Sequence, residues 1–321
     1  VPEGTPDHPS ALQGIDLKKC QPESLHMTKR AKTFSWSAMF LPQDIKIDLN
    51  ELYSFCRYVD DCADNCIDKI EALEDLDRVT TDLLKGGSRT EVVDRFIKLA
   101  HRRRIPISFA LELVRGVKAD LGEVRVLSEE ELLRYAYQVA GTVGVMICHL
   151  LSVTDRNALA AGIDLAIGMQ LTNIARDVYE DYNQGRVYLP ASLVSEQLVA
   201  DAFANDQSAQ KKLLKAVEHI LAIAKTYYRS SDEGICYLPQ SARLGILVAS
   251  RTYEKIGHLI VSNPARYFQS RVSTNKLEKF ACLADALLSL TDLRYHRVMI
   301  APAHRPELHR ALRGLLSFDA V

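Results

Sequence analysis

Several features are missing from this chain, and each absence closes a class of function. There is no excess of either charge: 40 basic and 41 acidic residues leave a formal net charge of −1, so nothing points to nucleic acid as a partner. No Gly-rich nucleotide loop, no convincing nucleophile motif and no zinc-ligand spacing is present. No apolar run reaches the roughly 20 residues of a membrane span. The nearest, residues 143–153, is short and contains His149. No stretch alternates at period two, so strands are not expected. The seven cysteines, at 20, 56, 62, 66, 148, 236 and 282, include no Cys-x-x-Cys pair. An odd, scattered set fits reduced thiols in a reducing compartment, cytoplasmic or of plastid or mitochondrial type. The opening Val1-Pro2-Glu3-Gly4-Thr5-Pro6 does not read as a signal peptide, and without an initiating Met a removed targeting segment stays open.

What is present is helix. The chain has 321 residues, 47% of them hydrophobic, enough for a sizeable core. Residues 1–22, with Pro2, Pro6, Pro9 and Pro22, show no apolar period and read as a loose arm. A helix is expected from Pro22 to Met39, closed by Pro42. A long one should follow over Ile47–Cys66, where Leu49, Leu52, Tyr53, Cys56, Val59 and Ala63 recur at helical spacing. Further helices are expected at about 69–85, 90–101, 106–121, 129–152, 155–182, 208–230, 239–260 and 275–290. Gly86-Gly87 and Ile105-Pro106 mark breaks, and Ser128 with Glu131 forms a capping box. The tail Pro306–Phe318 reads as a short amphipathic packing helix rather than a membrane anchor. No linker separates two domains, so the expectation is one all-α domain over 23–321.

Within it, Asn173-Ile174-Ala175-Arg176-Asp177-Val178-Tyr179-Glu180-Asp181 organises the rest. Residues four apart share a helical face, so Asn173, Asp177 and Asp181 form a polar stripe, with Gln170 one turn earlier. Acids on an otherwise apolar helix are costly unless paired or metal-bound. A second cluster, Asp60-Asp61-Cys62-Ala63-Asp64, repeats the spacing. Two such carboxylate pairs on facing helices would cage Mg²⁺, a hard ion that takes carboxylate, phosphate and water oxygens, against a diphosphate. A diphosphate so held departs readily when the cation left behind is allylic.

Basic residues stand where phosphate oxygens would be. Arg57 precedes the first cluster by one turn, Arg176 abuts Asp177, Arg186 follows the second stripe, and Lys32 lies in the early helix. Each could equally form an intrahelical or surface ion pair. Phe34, Phe55, Tyr58, Tyr135 and Tyr137 are aromatic candidates for a cation-stabilising wall, or else core. His149, on an apolar helix, reads as a core histidine. Gly141 and Gly144 each cost a helix about 1 kcal/mol relative to Ala, and serve either close packing or a thinned pocket wall.

On these residues the chain resembles the squalene/phytoene synthase family of head-to-head prenyl transferases. The marks are Ala31-Lys32-Thr33-Phe34, Cys56 to Asp64, Tyr137 to Gly144, Gln170 to Asp181 and Gly185 to Pro190, with Asp232-Glu233-Gly234 and the Arg243–Arg251 segment in addition. The likeness runs from about Leu25 to Leu290. It implies an isoprenoid-synthase helical bundle around a central cavity and two to three Mg²⁺ held by Asp60, Asp61, Asp64, Asn173, Asp177 and Asp181. It implies catalysis by Asp60, Asp64, Asp177, Asp181 and Tyr137, and substrate binding by Lys32, Phe34, Arg57, Gln170, Asn173, Arg176, Arg186 and Arg271. The implied reaction condenses two farnesyl or geranylgeranyl diphosphates through a cyclopropyl diphosphate. The Val139-Ala140-Gly141-Thr142-Val143-Gly144 stretch is similar to carotenoid-forming members, whose product forms by proton loss, so NADPH is not expected. A greasy product makes peripheral membrane contact reasonable.

The chain departs from the family pattern in two places. Ala31 stands where the family usually has Ser. The Ser262–Val272 segment carries Pro264, which would break a helix, and a shifted Tyr267. A reshaped cavity end keeps two alternatives open: a class I terpene cyclase acting on one prenyl diphosphate, and a non-catalytic assembly factor of the same fold.

Overall fold

The computed structural model describes residues 36–64, 68–292, 304–315 and 317–318. The arm 1–22, Ala31, Lys32, Phe34 and most of the first expected helix lie outside the described residues. Helix α1 spans Gln43–Asp64. It starts earlier than periodicity suggests because Pro42 opens it: the Lys46 N–H bonds the Pro42 carbonyl at 2.9 Å. Proline lacks an N–H, which the first helical turn does not need. Its buried face is Leu49, Leu52, Phe55 and Val59. Helix α2 is Lys69–Lys85, with Asp68 accepting the Ile70 N–H, and it stops where Gly86 turns left-handed at φ 74°. Helices α3 (Glu91–Arg103) and α4 (Ile107–Ala119) flank the Ile105-Pro106 break.

The helix expected over 129–152 is three pieces: α5 (Glu129–Ala136), a π-helical turn (Tyr137–Gly141) and α6 (Thr142–Leu150). The wide turn shifts the register of α6 against α5. It depends on glycine, since a Cβ on Gly141 would sit 2.7 Å from Cδ2 of Tyr137. Ser128 caps α5 through the Glu131 N–H, but the Glu131 carboxylate accepts from the Leu127 N–H, one residue outside a true capping box.

The expected 155–182 helix also divides, into α7 (Arg156–Arg176) and α8 (Val178–Asn183) around Asp177. Helical hydrogen bonds cross the break, from Asp177 N to Asn173 O and from Asp181 N to Asp177 O, each 2.9 Å. The polar stripe therefore survives it. Two short strands correct the strand-free expectation: β1 (Val124–Arg125) pairs in parallel with β2 (Arg186–Val187). Arg125 reinforces the join by donating to the Leu189 carbonyl at 2.7 Å. This pairing brings the end of α4 to the segment following α8.

The chain continues through α9 (Glu196–Phe203), α10 (Gln207–Glu233), α11 (Gln240–Ser262), α12 (Pro264–Gln269) and α13 (Lys276–Ser289). The tail forms a 3₁₀ segment, Pro306–Leu312, packed on α5. Helix α7 is the hub, packed by α6, α10, α11 and the π turn. Its length and apolarity would suit a membrane span, but 72% of that window is buried inside the protein, as in a core helix. Gly144 on α6 meets Gly162 on α7 so closely that a Cβ on Gly144 would lie 2.4 Å from the Gly162 carbonyl oxygen. Packing is thus one role of this glycine. The other is in the cavity wall described below. Cys56, Cys62, Cys148, Cys236 and Cys282 are not joined in disulfides.

Candidate active site

The two acidic clusters face each other. Arg57, Asp60 and Asp64 from α1 line a polar basin of about 350 Å³ together with Gln170, Asn173, Arg176, Asp177 and Asp181 from α7 and α8. Asp61 does not line it. One residue of helix rotates the side chain by about 100°, and Asp61 pairs with Arg57, which does line the basin. Arg186, just beyond α8, crosses the basin and donates to Asp64 at 3.0 Å.

The carboxylates are crowded. Burial pushes Asp60 up to about 7; Arg57 opposes the rise and Asp64 adds to it. Burial pushes Asp181 up to about 8, with Asp177 the next cause. Asp177 goes the other way. Burial would raise it too, but hydrogen bonds from Arg176 and Arg271 outweigh that and hold it below the usual carboxylate range. Arg176 reaches it at 2.6 and 2.7 Å and Arg271 at 2.8 and 2.9 Å, each as a two-pronged fork.

Arg271 arrives through the segment that departs from the family pattern. Helix α11 ends at Ser262, Asn263 caps α12 by accepting the Arg266 N–H at 3.1 Å, and Pro264 sits at its start. The Tyr267 hydroxyl then donates to the Ala175 carbonyl at 2.9 Å, anchoring α12 against the end of α7. Pro264 therefore separates two helices and directs Arg271 onto Asp177.

Asn173 presents an unsatisfied acceptor at the basin. Its Nδ2 reaches Gln170 Oε1 at 3.4 Å. Its Oδ1 is buried with no hydrogen-bond partner among the described residues. An orphaned acceptor costs about 1–3 kcal/mol, and here it faces a basin of carboxylates. An oxygen-rich donor set of this kind fits a hard divalent cation.

Tyr137 is not in the basin. It is fully buried, bonds Ser317 Oγ at 2.9 Å and meets Phe318 edge-on. Tyr135 lines the basin instead. It donates to Asp120 Oδ2 at 2.8 Å and stacks on Tyr188, whose hydroxyl donates to the other Asp120 oxygen at 2.8 Å. Asp120 was missed because it is a single acid at the end of α4, outside the two clusters whose aspartates recur four apart. Tyr188 stood inside the Gly185–Pro190 motif without a role. Among the other candidates, Phe55 is core, stacked on Phe96 at 3.9 Å, and His149 tilts against Phe109.

Beside the basin lies an apolar cavity of about 240 Å³, with Val143, Gly144, Ile147, Leu165, Met169 and Ala249 in its wall. Val139, Gln170 and Asn173 border both spaces, so a polar head and an apolar tail of one ligand could occupy adjoining rooms.

An all-α bundle in which acid-bearing helices converge on a charged basin backed by an apolar cavity has the isoprenoid-synthase fold. Solved structures agree: a dehydrosqualene synthase in complex with ligand matches at TM-score 0.68 and 24% identity, covering 83% of this chain and 94% of that one. A squalene synthase from Alicyclobacillus acidocaldarius matches at TM-score 0.63 and 18% identity, covering 72% of this chain and 89% of that one. The squalene/phytoene synthase family model matches residues 27–278. Among curated relatives, a 15-cis-phytoene synthase from a Paracoccus strain is 31% identical over 267 residues, 80% of this chain and 87% of that protein. One from Enterobacter agglomerans is 29% identical, over 80% of this chain and 90% of its own length. The chain belongs to the squalene/phytoene synthase family and is an enzyme of the prenyltransferase class.

Proposed function

We propose that the protein condenses two prenyl diphosphates head to head, through a cyclopropyl diphosphate, to a phytoene-like hydrocarbon, in a catalytic unit spanning residues 23–321. The observation that carries this reading is the junction of the two rooms at Val139, Gln170 and Asn173. A diphosphate belongs with the arginines and carboxylates, and its prenyl chain with the apolar wall. The names of the curated relatives support the same reaction.

Asp60, Asp64, Asn173, Asp177 and Asp181 would hold two to three Mg²⁺, which when bound supply charge neutralisation for the departing diphosphate. The chain does the rest. Arg57, Arg176 and Arg186 bind phosphate oxygens. Arg271 orients Asp177. Gln170 marks the border that the reacting carbon must straddle. The apolar cavity excludes water, which would otherwise capture the allylic cation. The stacked rings of Tyr135 and Tyr188 offer a cation-stabilising face, and Asp120 offers a proton acceptor for the step that ends the reaction.

The test is incubation with farnesyl and, separately, geranylgeranyl diphosphate, with and without Mg²⁺ and NADPH, with mass analysis of the hydrocarbon extract. A linear C30 or C40 product that requires Mg²⁺ but not NADPH is expected. Asp60→Ala and Asp177→Ala should abolish it while the helical circular-dichroism signal persists. A cyclic C15 or C20 product would instead make the protein a cyclase, and no product from either substrate would favour the assembly role.

A further inference from the structure

On the opposite side of α7 lies a second cluster of metal-ligand side chains. Asp164 is fully buried. Its Oδ1 lies 2.7 Å from His309 Nε2 and its Oδ2 lies 3.0 Å from His304 Nε2. One ligand atom from each of the three residues lies within 4.8 Å of the others. His309 is 5% exposed. Gly162, Leu165 and Met169 in the cavity wall lie about 160°, 100° and 140° around the helix from Asp164, and the basin's Gln170 and Asn173 about 120° and 180°, at about 100° per residue. The cluster is therefore separate from the acid basin.

We propose that Asp164, His304 and His309 form a binding site for a zinc-class transition-metal ion, which clamps the C-terminal segment onto α7. Two imidazoles and a carboxylate suit zinc, whereas magnesium prefers oxygen ligands alone. The gap of four residues between the histidines falls in the usual three-to-five range for zinc ligands. No such spacing stood out in the sequence because the carboxylate comes from a helix 140 residues earlier and no paired cysteines accompany it. A tetrahedral ion with bonds of about 2.0–2.1 Å places its ligand atoms about 3.3 Å apart; the Asp–His contacts run to different carboxylate oxygens at 2.7 and 3.0 Å and the three ligand atoms lie within 4.8 Å of one another, so small side-chain rotations would bring the set onto one ion. To bind the ion each ring would present its Nε2 lone pair, with any remaining ring proton on Nδ1. A water completes the fourth position.

The surrounding contacts fit a clamp. Tyr227 donates to the Leu308 carbonyl at 2.8 Å, Arg134 to the Ala311 carbonyl at 2.8 Å, and Arg305 pairs with Glu233 at 3.2 Å. His309 also packs edge-on against Phe318, which in turn meets Tyr137.

The test uses the full-length chain, stripped with a chelator and titrated with Co²⁺ or Zn²⁺ in excess Mg²⁺ to occupy the acid basin. Stoichiometric uptake is expected, with the visible d–d absorption of tetrahedral Co²⁺ and a Zn²⁺-dependent rise in Tm. His304→Gln should weaken uptake by about tenfold or more, and His309→Ala should abolish it. Asp60→Ala should leave it intact. Absence of uptake by the unmodified chain overturns the proposal. So does uptake that survives both histidine changes, or that disappears in Asp60→Ala. His304 sits at the rim of the cluster, so its variant remains informative if His309→Ala fails to fold.

Discussion

The guanidinium of Arg186 lies 3.0 Å from the carboxylate of Asp64, although 122 residues separate them in the chain. That contact joins the two acidic clusters across the basin, and the β1–β2 pairing fixes it by tethering Arg186 beside the end of α4. Arg186→Ala should lower kcat/KM by about 10²–10³, the usual loss on removing one donor aimed at developing negative charge. Stability should change by no more than about 1 kcal/mol, as expected for a partly exposed ion pair. Arg186→Lys should recover only part of the activity, because an ammonium cannot reproduce the fork. Steady-state kinetics on the three proteins checks this. A kcat/KM within about threefold of the parent would remove Arg186 from the phosphate site.

Asp120 gives a prediction in pH. Burial pushes it up to about 6, with the Tyr188 and Tyr135 hydroxyls holding it back. Its value in the unfolded chain is about 3.9. Between pH of about 4 and 6 the folded state therefore binds more protons at this site than the unfolded state, and the contribution to stability falls as pH rises. Asp120→Asn should remove that slope. The stability of the parent relative to the variant should decline across this window by on the order of 2–3 kcal/mol. The basin's other acids titrate in both proteins; Asp60 and Asp181, each raised in part by the Asp120 charge, should fall somewhat in the variant. Tyr188→Phe deletes a hydrogen bond that favours the ionised form, so the upper end of the window should move above 6. Urea unfolding at a series of pH values provides the measurement. Parallel pH profiles for the parent and Asp120→Asn would refute the assignment.

The same residues show how far the sequence could be read. Helices and the two facing acid pairs were legible because both follow from one period: four residues carry a side chain back to the same face. Arg57, Arg176 and Arg186 were legible for the same reason, being neighbours of those acids in the chain. What could not be read was rotation and long-range return. Asp61 differs from Asp60 by a single step, yet it stands behind Arg57 rather than in the basin lining. Tyr135 and Tyr137 differ by two, about 200° of helix, so only one of them faces the basin. Asp120 enters the site through a two-residue strand pair too short for any periodic signal. Arg271 was named through the family resemblance, but its route was not legible: Pro264 separates two helices, where a broken helix suggested a reshaped cavity end.

Gly144 tests the packing of α6 on α7. A methyl group there would come within 2.4 Å of the Gly162 carbonyl oxygen. Backbone cannot yield as a side-chain tip can, so the two helices must separate. Gly144→Ala should cost about 1–3 kcal/mol, the usual range for overpacking. Thermal unfolding would show it as a lowered Tm. Gly87→Ala is the control, since a Cβ there meets nothing within 4 Å. An unchanged Tm for Gly144→Ala would mean that the crossing is looser than 2.4 Å.

The two tyrosines flanking Ala136 should separate by readout. Tyr137 is sealed in the core, and its hydroxyl is spent on Ser317. Tyr137→Phe should therefore lower stability by about 1 kcal/mol, the net worth of one hydrogen bond, and leave kcat unchanged. Tyr135 lines the basin and donates to the Asp120 carboxylate. A hydrogen bond to a charged group is worth about 1.5–3 kcal/mol, so losing it should cost activity by about tenfold or more if Asp120 acts in turnover. Tyr135→Phe should also move the acid limb of the activity profile to higher pH, because the carboxylate loses a donor that favours its ionised form. A merely structural role for Tyr135 would lower Tm without moving that limb. The reverse pattern, with kcat lost in Tyr137→Phe and retained in Tyr135→Phe, would return the catalytic tyrosine to position 137 and require the π turn to rotate in the working enzyme.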